Sequence, residues 1–553
     1  LSLYAILFNV LMSTVAVDGD AVPQPPIVPV PVQRNITRTI GPGNDGQGLS
    51  AGTSATTVTS NHSYANESGE ELTTLAVVYS GFAAINNAAE SSCPSAYPIV
   101  ATVEYPVGSA VQTFTFGGSG TGSVPAGAPA YISDEITLTT PIPAGATFKI
   151  ASSATLEIGQ KVPMSRDSVT PAFRPSGIVS TLMSDKNRFV PFAIGDSIFT
   201  NDGMPPSAAA AGVCPIFQLS MIGGTLFQNV NNFTKRVALA KALGCTHAVI
   251  NYQTNDHTAG QTYEQLTANA TAMADLMNAN DMKTIWTTGT PIASIPSVSA
   301  SSVSASGGFL SVTVPDGSLF LAGQFCGVVG ATAPTTANGR KLITAVDGNV
   351  LTLKAPNVVD GAVTGTITIS RYYNYSSQQT HGGGNLAGGV NSVWYRFSEW
   401  VRSHPGNIVD HIEITDVLAQ SRTVPKWKTA PDPYLRADKA SLTISTITST
   451  TRFYYTSDGD TTTNNWCAGG QVIWLTGANA GTASAISGNS GGQIILTSAL
   501  SNMAIGDTFA ISLGITGRMT EDGTHPRASY TWGGIPAMVA AIKAKLTAIK
   551  AVF

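Results

Sequence analysis

From about residue 186 the chain alternates short apolar runs with segments of helical spacing, and this alternation restricts the fold more than any other feature of the sequence. Residues 188–194 form an apolar run that the turn-forming Gly195-Asp196-Ser197 breaks. Residues 232–243 carry apolar side chains at helical spacing and stop at Gly244, after which 246–250 reads as a strand. A second helix near 263–280 precedes the strand Lys283–Thr287. Strands separated by helices of this length predict a parallel sheet. Residues 392–403 and 408–418 return to helix and strand, and 534–551, with Ile535, Met538, Val539, Ile542, Leu546 and Ile549, predicts a helix closing on the sheet.

Ser197 therefore stands just past the C-terminal edge of a strand, where open α/β sheets bind ligands. More than three hundred residues later, Asp522-Gly523-Thr524-His525-Pro526 sets a carboxylate and an imidazole three residues apart in a turn. That spacing lets Asp522 hold the tautomer of His525 while His525 takes the proton of Ser197. A Gly-Asp-Ser triplet is weak evidence in a chain with 55 glycines, but two intervening segments corroborate it. Acyl transfer needs donors aimed at the developing oxyanion. Met221-Ile222-Gly223-Gly224-Thr225 offers bare backbone N–H, and 249–256 brings the Asn255 amide just after an apolar strand.

In this order the four segments resemble the SGNH hydrolases, also called GDSL-like esterases, whose signature blocks contribute Ser, Gly, Asn and His. The resemblance implies an α/β, SGNH-type (flavodoxin-like) three-layer sandwich with a parallel sheet. It implies Ser197 as nucleophile, Asp522 and His525 as the rest of the triad, and an oxyanion hole formed by Ser197 N–H, Gly224 N–H and the Asn255 side chain. No metal and no organic cofactor is implied. The third block of the family usually reads Gly-x-Asn-Asp; here Gln253 replaces the glycine, which bears on local backbone shape, while Asn255 is kept.

A chain of 553 residues is too long for one core. Residues 1–68 read as an apolar anchor followed by a Pro/Gly-rich linker: 1–12 is apolar but too short for a membrane span and lacks the basic residues of a signal peptide, and 23–31 is Pro-rich and extended. The anchor is expected to be retained and to pack on a partner protein. Alternating runs at 75–79, 99–105, 112–116 and 135–139 predict a jelly-roll-like β-sandwich accessory domain over 69–185. The catalytic domain then comes in three parts, 186–297, 372–437 and 514–553, separated by β-rich stretches at 298–371 and 438–513. These two stretches echo each other: residues 322–330 match 468–477, 348–353 match 492–497, and 364–369 match 505–511. They read as two copies of a small β-barrel-like module inserted into loops of the catalytic domain, the second bordering the substrate cleft.

Net charge −4 gives no support for nucleic-acid binding, and 11% charged residues suits β domains of an extracellular or particle-associated protein. Cys93, Cys214, Cys245, Cys326 and Cys467 lack Cys-x-x-Cys spacing, so neither a zinc site nor a disulfide framework is expected. His62, His247, His257, His381, His404 and His411 show no ligand spacing; His257 reads first as a solvated loop residue and second as a pocket residue, and Asp256 as an orienter of its loop. Asp458-Gly459-Asp460 reads as a turn. Trp394, Tyr395, Trp400, Trp427 and Trp466 are candidates for stacking on sugars, the first three at least partly core.

The expected function is a serine carboxylic-ester hydrolase of acetylesterase type, O-deacetylating a bacterial surface or extracellular polysaccharide. The apolar tip, Pro-rich spacer and inserted modules are similar to tail-associated bacteriophage proteins, which places the chain on a virion tail or fibre or in the extracellular space. Partners would be the acetylated polysaccharide and other tail or particle proteins bound through residues 1–30, with no nucleic acid and with self-association left open. The alternatives are a secreted bacterial carbohydrate esterase and a non-catalytic glycan-binding virion protein.

Overall fold

The computed structural model describes residues 31–42, 49–50, 54–85, 87–166, 171–183, 189–200, 204–294, 297–320, 325–355, 358–371, 380–381, 389–427, 442–455, 471–480, 482–490, 492–512 and 534–552. Six strands make one parallel sheet: β1 (Arg38–Ile40), β2 (Pro191–Gly195), β3 (Ile216–Gln218), β4 (His247–Asn251), β5 (Lys283–Thr287) and β6 (Ile408–Ile412). They lie side by side in the order β1-β3-β2-β4-β5-β6. Leaving out the edge strand β1, this is the doubly wound order 2-1-3-4-5, whose switch point lies between β2 and β4.

Every residue of β2 and β4 is buried, because both faces of the sheet are covered. Alternation along β2 sends Phe192 and Ile194 to one side and Ala193 to the other. On the first side they join a core with Leu239 of the helix Thr234–Ala242, Met273 of the helix Tyr263–Asn278 and Phe397 of the helix Val393–Arg402. On the second side Ala193, Val249, Ile285 and Ile412 meet Met538, Ile542 and Leu546 of the helix Gly534–Lys550. The helix Tyr263–Asn278 begins where it does because Thr262 and Gln265 form a reciprocal capping box.

Ahead of this unit lie two antiparallel sheets that share one core. Pro31–Asn35, Gly177–Met183, Leu72–Tyr79, Tyr131–Ile132 and Ile136–Ile142 make one; Gly122–Val124, Tyr97–Glu104, Thr147–Leu156, Thr56–Ala65 and Val111–Thr113 make the other. Pro31–Asn35, β1 and Thr56–Ala65 all fall within 1–68, so the boundary drawn there for an anchor and linker is corrected: the described part of that stretch is built into two units. Pro31 opens an edge strand, where its missing N–H costs no ladder bond. In Leu72–Tyr79, Leu75, Val77 and Tyr79 face the core of the antiparallel unit, while Ala76 and Val78 join the core of the α/β unit. Its unbroken apolar run thus serves two interfaces.

Two further β units follow. Taken in chain order, Ser302–Ser306, Phe309–Thr313, Phe325–Ala333, Gly339–Asp347, Val350–Lys354 and Thr364–Arg371 pair in the spatial order 1-2-5-4-3-6. Leu442–Ser449, Arg452–Tyr455, Gln471–Trp474, Ala483–Ser490, Gln493–Leu496 and Thr508–Ser512 pair in the same order and close into a barrel through the first and last. Each has its own apolar core.

Candidate active site

Gly195 ends β2 opposite Asn251 at the end of β4, so the chain segments that follow, carrying Ser197 and Asn255, leave the sheet side by side at its switch point. The approach is close: a Cβ on Gly195 would lie 2.6 Å from Asn251 O, so glycine is needed for the two strands to end together. Asp196 then turns strand into helix. Its Oδ1 accepts Ile198 N (2.8 Å) and its carbonyl accepts Phe199 N (3.2 Å) and Thr200 Oγ1 (3.1 Å). These bonds satisfy donors at the start of the helix Ser197–Thr200 and fix Ser197 at its first position, 2% exposed.

The loop after β3 forms the second part. Gly224 N–H donates to Met221 O at 3.1 Å, closing a turn in which Gly223 takes φ 72°, a left-handed value that glycine adopts without a Cβ penalty. Donation from Gly224 N–H to a ligand must therefore be shared with that turn bond. The third part is the helix Thr254–Thr258, where Asn255 Nδ2 donates to Gly224 O at 3.0 Å. An amide nitrogen carries two hydrogens, and this bond uses one of those on the half-buried Asn255. Gln253, at the position where the resemblance leads to the expectation of a glycine, has φ 166°, outside the left-handed region that favours glycine. Its buried amide approaches Thr287 O at 3.4 Å.

Asp256, fully buried, holds the second and third parts together: its carboxylate accepts Leu226 N (2.9 and 3.0 Å) and Phe227 N (3.2 Å) at the start of the helix Leu226–Asn229. Burial raises its carboxyl to about 6, against the lowering effect of those N–H donors. His257 is fully buried, not solvated, and burial lowers its imidazole to about 3; neither ring nitrogen has a hydrogen-bond partner among the described residues. Polar side chains at and just after the ends of β4 and β5 form hydrogen bonds that sequence spacing did not reveal. Asn251 Nδ2 donates to Thr287 Oγ1 (2.7 Å), Thr254 Oγ1 meets Thr290 Oγ1 (2.9 Å), and Thr288 Oγ1 donates to Glu413 Oε1 (2.7 Å) while accepting Ile414 N and Thr415 N.

Asp522 and His525 lie outside the described residues, as do Trp466 and Cys467. Trp394 and Trp427 are buried, Trp394 donating to Thr290 O at 3.0 Å, so neither presents a face for a sugar. Trp400 stacks on Phe397 with ring centroids 5.4 Å apart. Cys93, Cys214, Cys245 and Cys326 are buried free thiols. The fold brings His404, Asp410 and His411 to within 4.8 Å of one another, which their spacing did not suggest. His404 Nε2 and His411 Nδ1 are hydrogen-bonded to each other at 2.7 Å, and Lys545 Nζ, 2.6 Å from Asp410 Oδ1, already provides that carboxylate with a cation.

No protein-family model and no curated protein matches the chain. Solved structures similar to part of it include a GDSL-like lipase from Bacteroides thetaiotaomicron, 24% identical over 20% of this chain and 53% of that one, TM-score 0.17. A psychrotrophic esterase from Pseudoalteromonas is 16% identical over 18% of this chain and 60% of that one, TM-score 0.16. AlinE4, an SGNH-hydrolase family esterase, is 15% identical over 18% and 59%, TM-score 0.17. The chain thus spans about half to three fifths of the length of these structures.

Proposed function

We propose that the chain is a serine esterase of SGNH type that removes acetyl groups from a polysaccharide. The observation that carries this reading is the meeting of three loops at the switch point of a doubly wound sheet: Ser197 follows β2, the Asn255 helix follows β4, and Asn255 is bonded to the Gly224 loop that follows β3. Ser197 Oγ attacks the ester carbonyl while His525 accepts its proton and Asp522 orients the imidazole. Ser197 N–H, Gly224 N–H and the second N–H of Asn255 receive the oxyanion. Collapse expels the sugar hydroxyl, protonated by His525, and water activated by the same imidazole releases acetate from the acyl-serine. None of these steps calls for a metal or an organic cofactor.

The glycan substrate is supported by the attached β units and the resemblance described above, and we read the two units of common strand order as copies of one module inserted around the site. The apolar segment 1–12 and the Pro-rich stretch after it support attachment to a particle such as a phage tail. Hydrolysis of p-nitrophenyl acetate, and acetate release from an acetylated polysaccharide, test the reaction. Wild type should turn over, and Ser197→Ala should lose at least about 10³-fold in kcat; equal activity in both, or none in either, overturns the esterase reading.

A further inference from the structure

Phe82–Ala83 and Ser91–Ser92, which follow the strand Leu72–Tyr79 of the antiparallel unit, pair as a two-stranded sheet, and the loop between them reaches onto the α/β unit. Phe82 and Ala84 are buried in the same core as Leu226 and Phe233, which seats the base of the loop. Glu90 anchors its far end: the carboxylate accepts Lys235 N (2.6 Å), Arg236 N (3.0 Å) and Arg236 Nε (2.8 Å) at the start of the helix Thr234–Ala242. The side chains of Glu90 and Arg236 are 5% and 0% exposed, so this ion pair is an interior contact and not a surface one.

Between these anchors sits Asn87, held at φ 55°, a left-handed conformation that asparagine tolerates better than most residues. Its Oδ1 accepts Thr225 N (2.9 Å) and Asn229 Nδ2 (2.8 Å) and lies 3.1 Å from Thr225 Oγ1, while its Nδ2 donates to Gly223 O (3.1 Å). The residues on both sides of Gly224 are therefore held by one side chain from another unit. Gly224 O is held by Asn255, and Leu226 N–H and Phe227 N–H by Asp256.

We propose that Asn87 is a positioning residue for the oxyanion loop, so that the antiparallel unit completes the active site instead of serving only as an accessory module. The catalytic part of this rests on the esterase reading. Without Asn87, Gly223 O and Thr225 N lose their partner, and the peptide units on either side of Gly224 loosen, letting Gly224 N–H tilt away from the reacting carbonyl. A displacement of that kind acts on the transition state and spares substrate binding.

The test uses the full chain with Asn87→Gly, which removes the amide while leaving the left-handed backbone unstrained, and Asn87→Asp, which keeps the acceptor oxygen and loses the donor. In Asn87→Gly, kcat on p-nitrophenyl acetate should fall about tenfold to a hundredfold with KM within about twofold; Asn87→Asp should fall in between. Independently of turnover, hydrogen exchange in peptides covering residues 219–230 should quicken by about five- to tenfold in Asn87→Gly, with peptides of the barrel at 442–512 unchanged as a fold control. Unchanged exchange, or unchanged kcat in an active enzyme, overturns the proposal. Inactive wild type, together with quickened exchange in the variant, leaves Asn87 as the clamp of this loop and overturns the esterase reading alone.

Discussion

Replacing His257 by leucine removes a group that the folded chain keeps neutral and the unfolded chain protonates in mild acid. The imidazole is 0% exposed and burial lowers it from 6.5 to about 3. Because the folded value is depressed, the unfolded state binds the extra proton between about pH 3 and 6.5, so stability falls as pH drops below 6.5. At pH 5 the unfolded state gains about 1.5 pH units of protonation free energy, or about 2 kcal/mol, against a few tenths at pH 7. His247, lowered to about 4 chiefly by burial, acts in the same direction. Asp256, raised to about 6 by burial, acts in the opposite one, since the folded state binds its proton more readily between about 3.8 and 6. Both cancel when wild type and His257→Leu are each compared at pH 7 and pH 5. Urea unfolding of the full chain, followed through the transition that exposes the buried Trp286 and Trp394, should show wild type losing about 2 kcal/mol more than the variant on acidification. Equal losses in the two proteins would refute the reasoning, because His257 would then take up protons as readily folded as unfolded.

Asn255→Ala removes the one side-chain donor proposed for the oxyanion and should lower kcat on p-nitrophenyl acetate by about 10²- to 10³-fold, with KM changed far less; a KM effect alone would assign Asn255 to substrate binding. Gly195→Ala drives a Cβ to 2.6 Å from Asn251 O between two buried strands, and that atom belongs to the backbone, not to the yielding end of a flexible side chain. The expected cost is about 1–3 kcal/mol in the unfolding transition of the α/β unit, accompanied by loss of activity; a neutral substitution would mean that β2 and β4 separate freely at the site.

The elements of the α/β unit were legible because each carries its own period. The strand Lys283–Thr287 has the same bounds in sequence and structure, and the helices Thr234–Ala242, Tyr263–Asn278 and Val393–Arg402 fall inside the segments of helical spacing. β1 was not legible: three residues are too few to show a period, and Arg38–Ile40 becomes a strand because β3 offers it an edge. Trp394 and Trp427 show the same limit. Their type suits a sugar platform or a core equally well, and only packing places them inside.

The sequence by itself determined the alternation of strand and helix, the turn that ends β2 at Ser197, and the order of the segments carrying Ser197, Gly224 and Asn255, since all of these are written in local spacing and turn chemistry. Tertiary structure alone decided that Asn87, from a separate antiparallel unit, grips the loop around Gly224, that Asp256 ties that loop to Asn255's helix, and that His257 lies fully buried beside them. Such contacts join residues far apart in sequence through hydrogen bonds that have no local period. They become fixed only when the units dock and water is excluded from the polar groups between them.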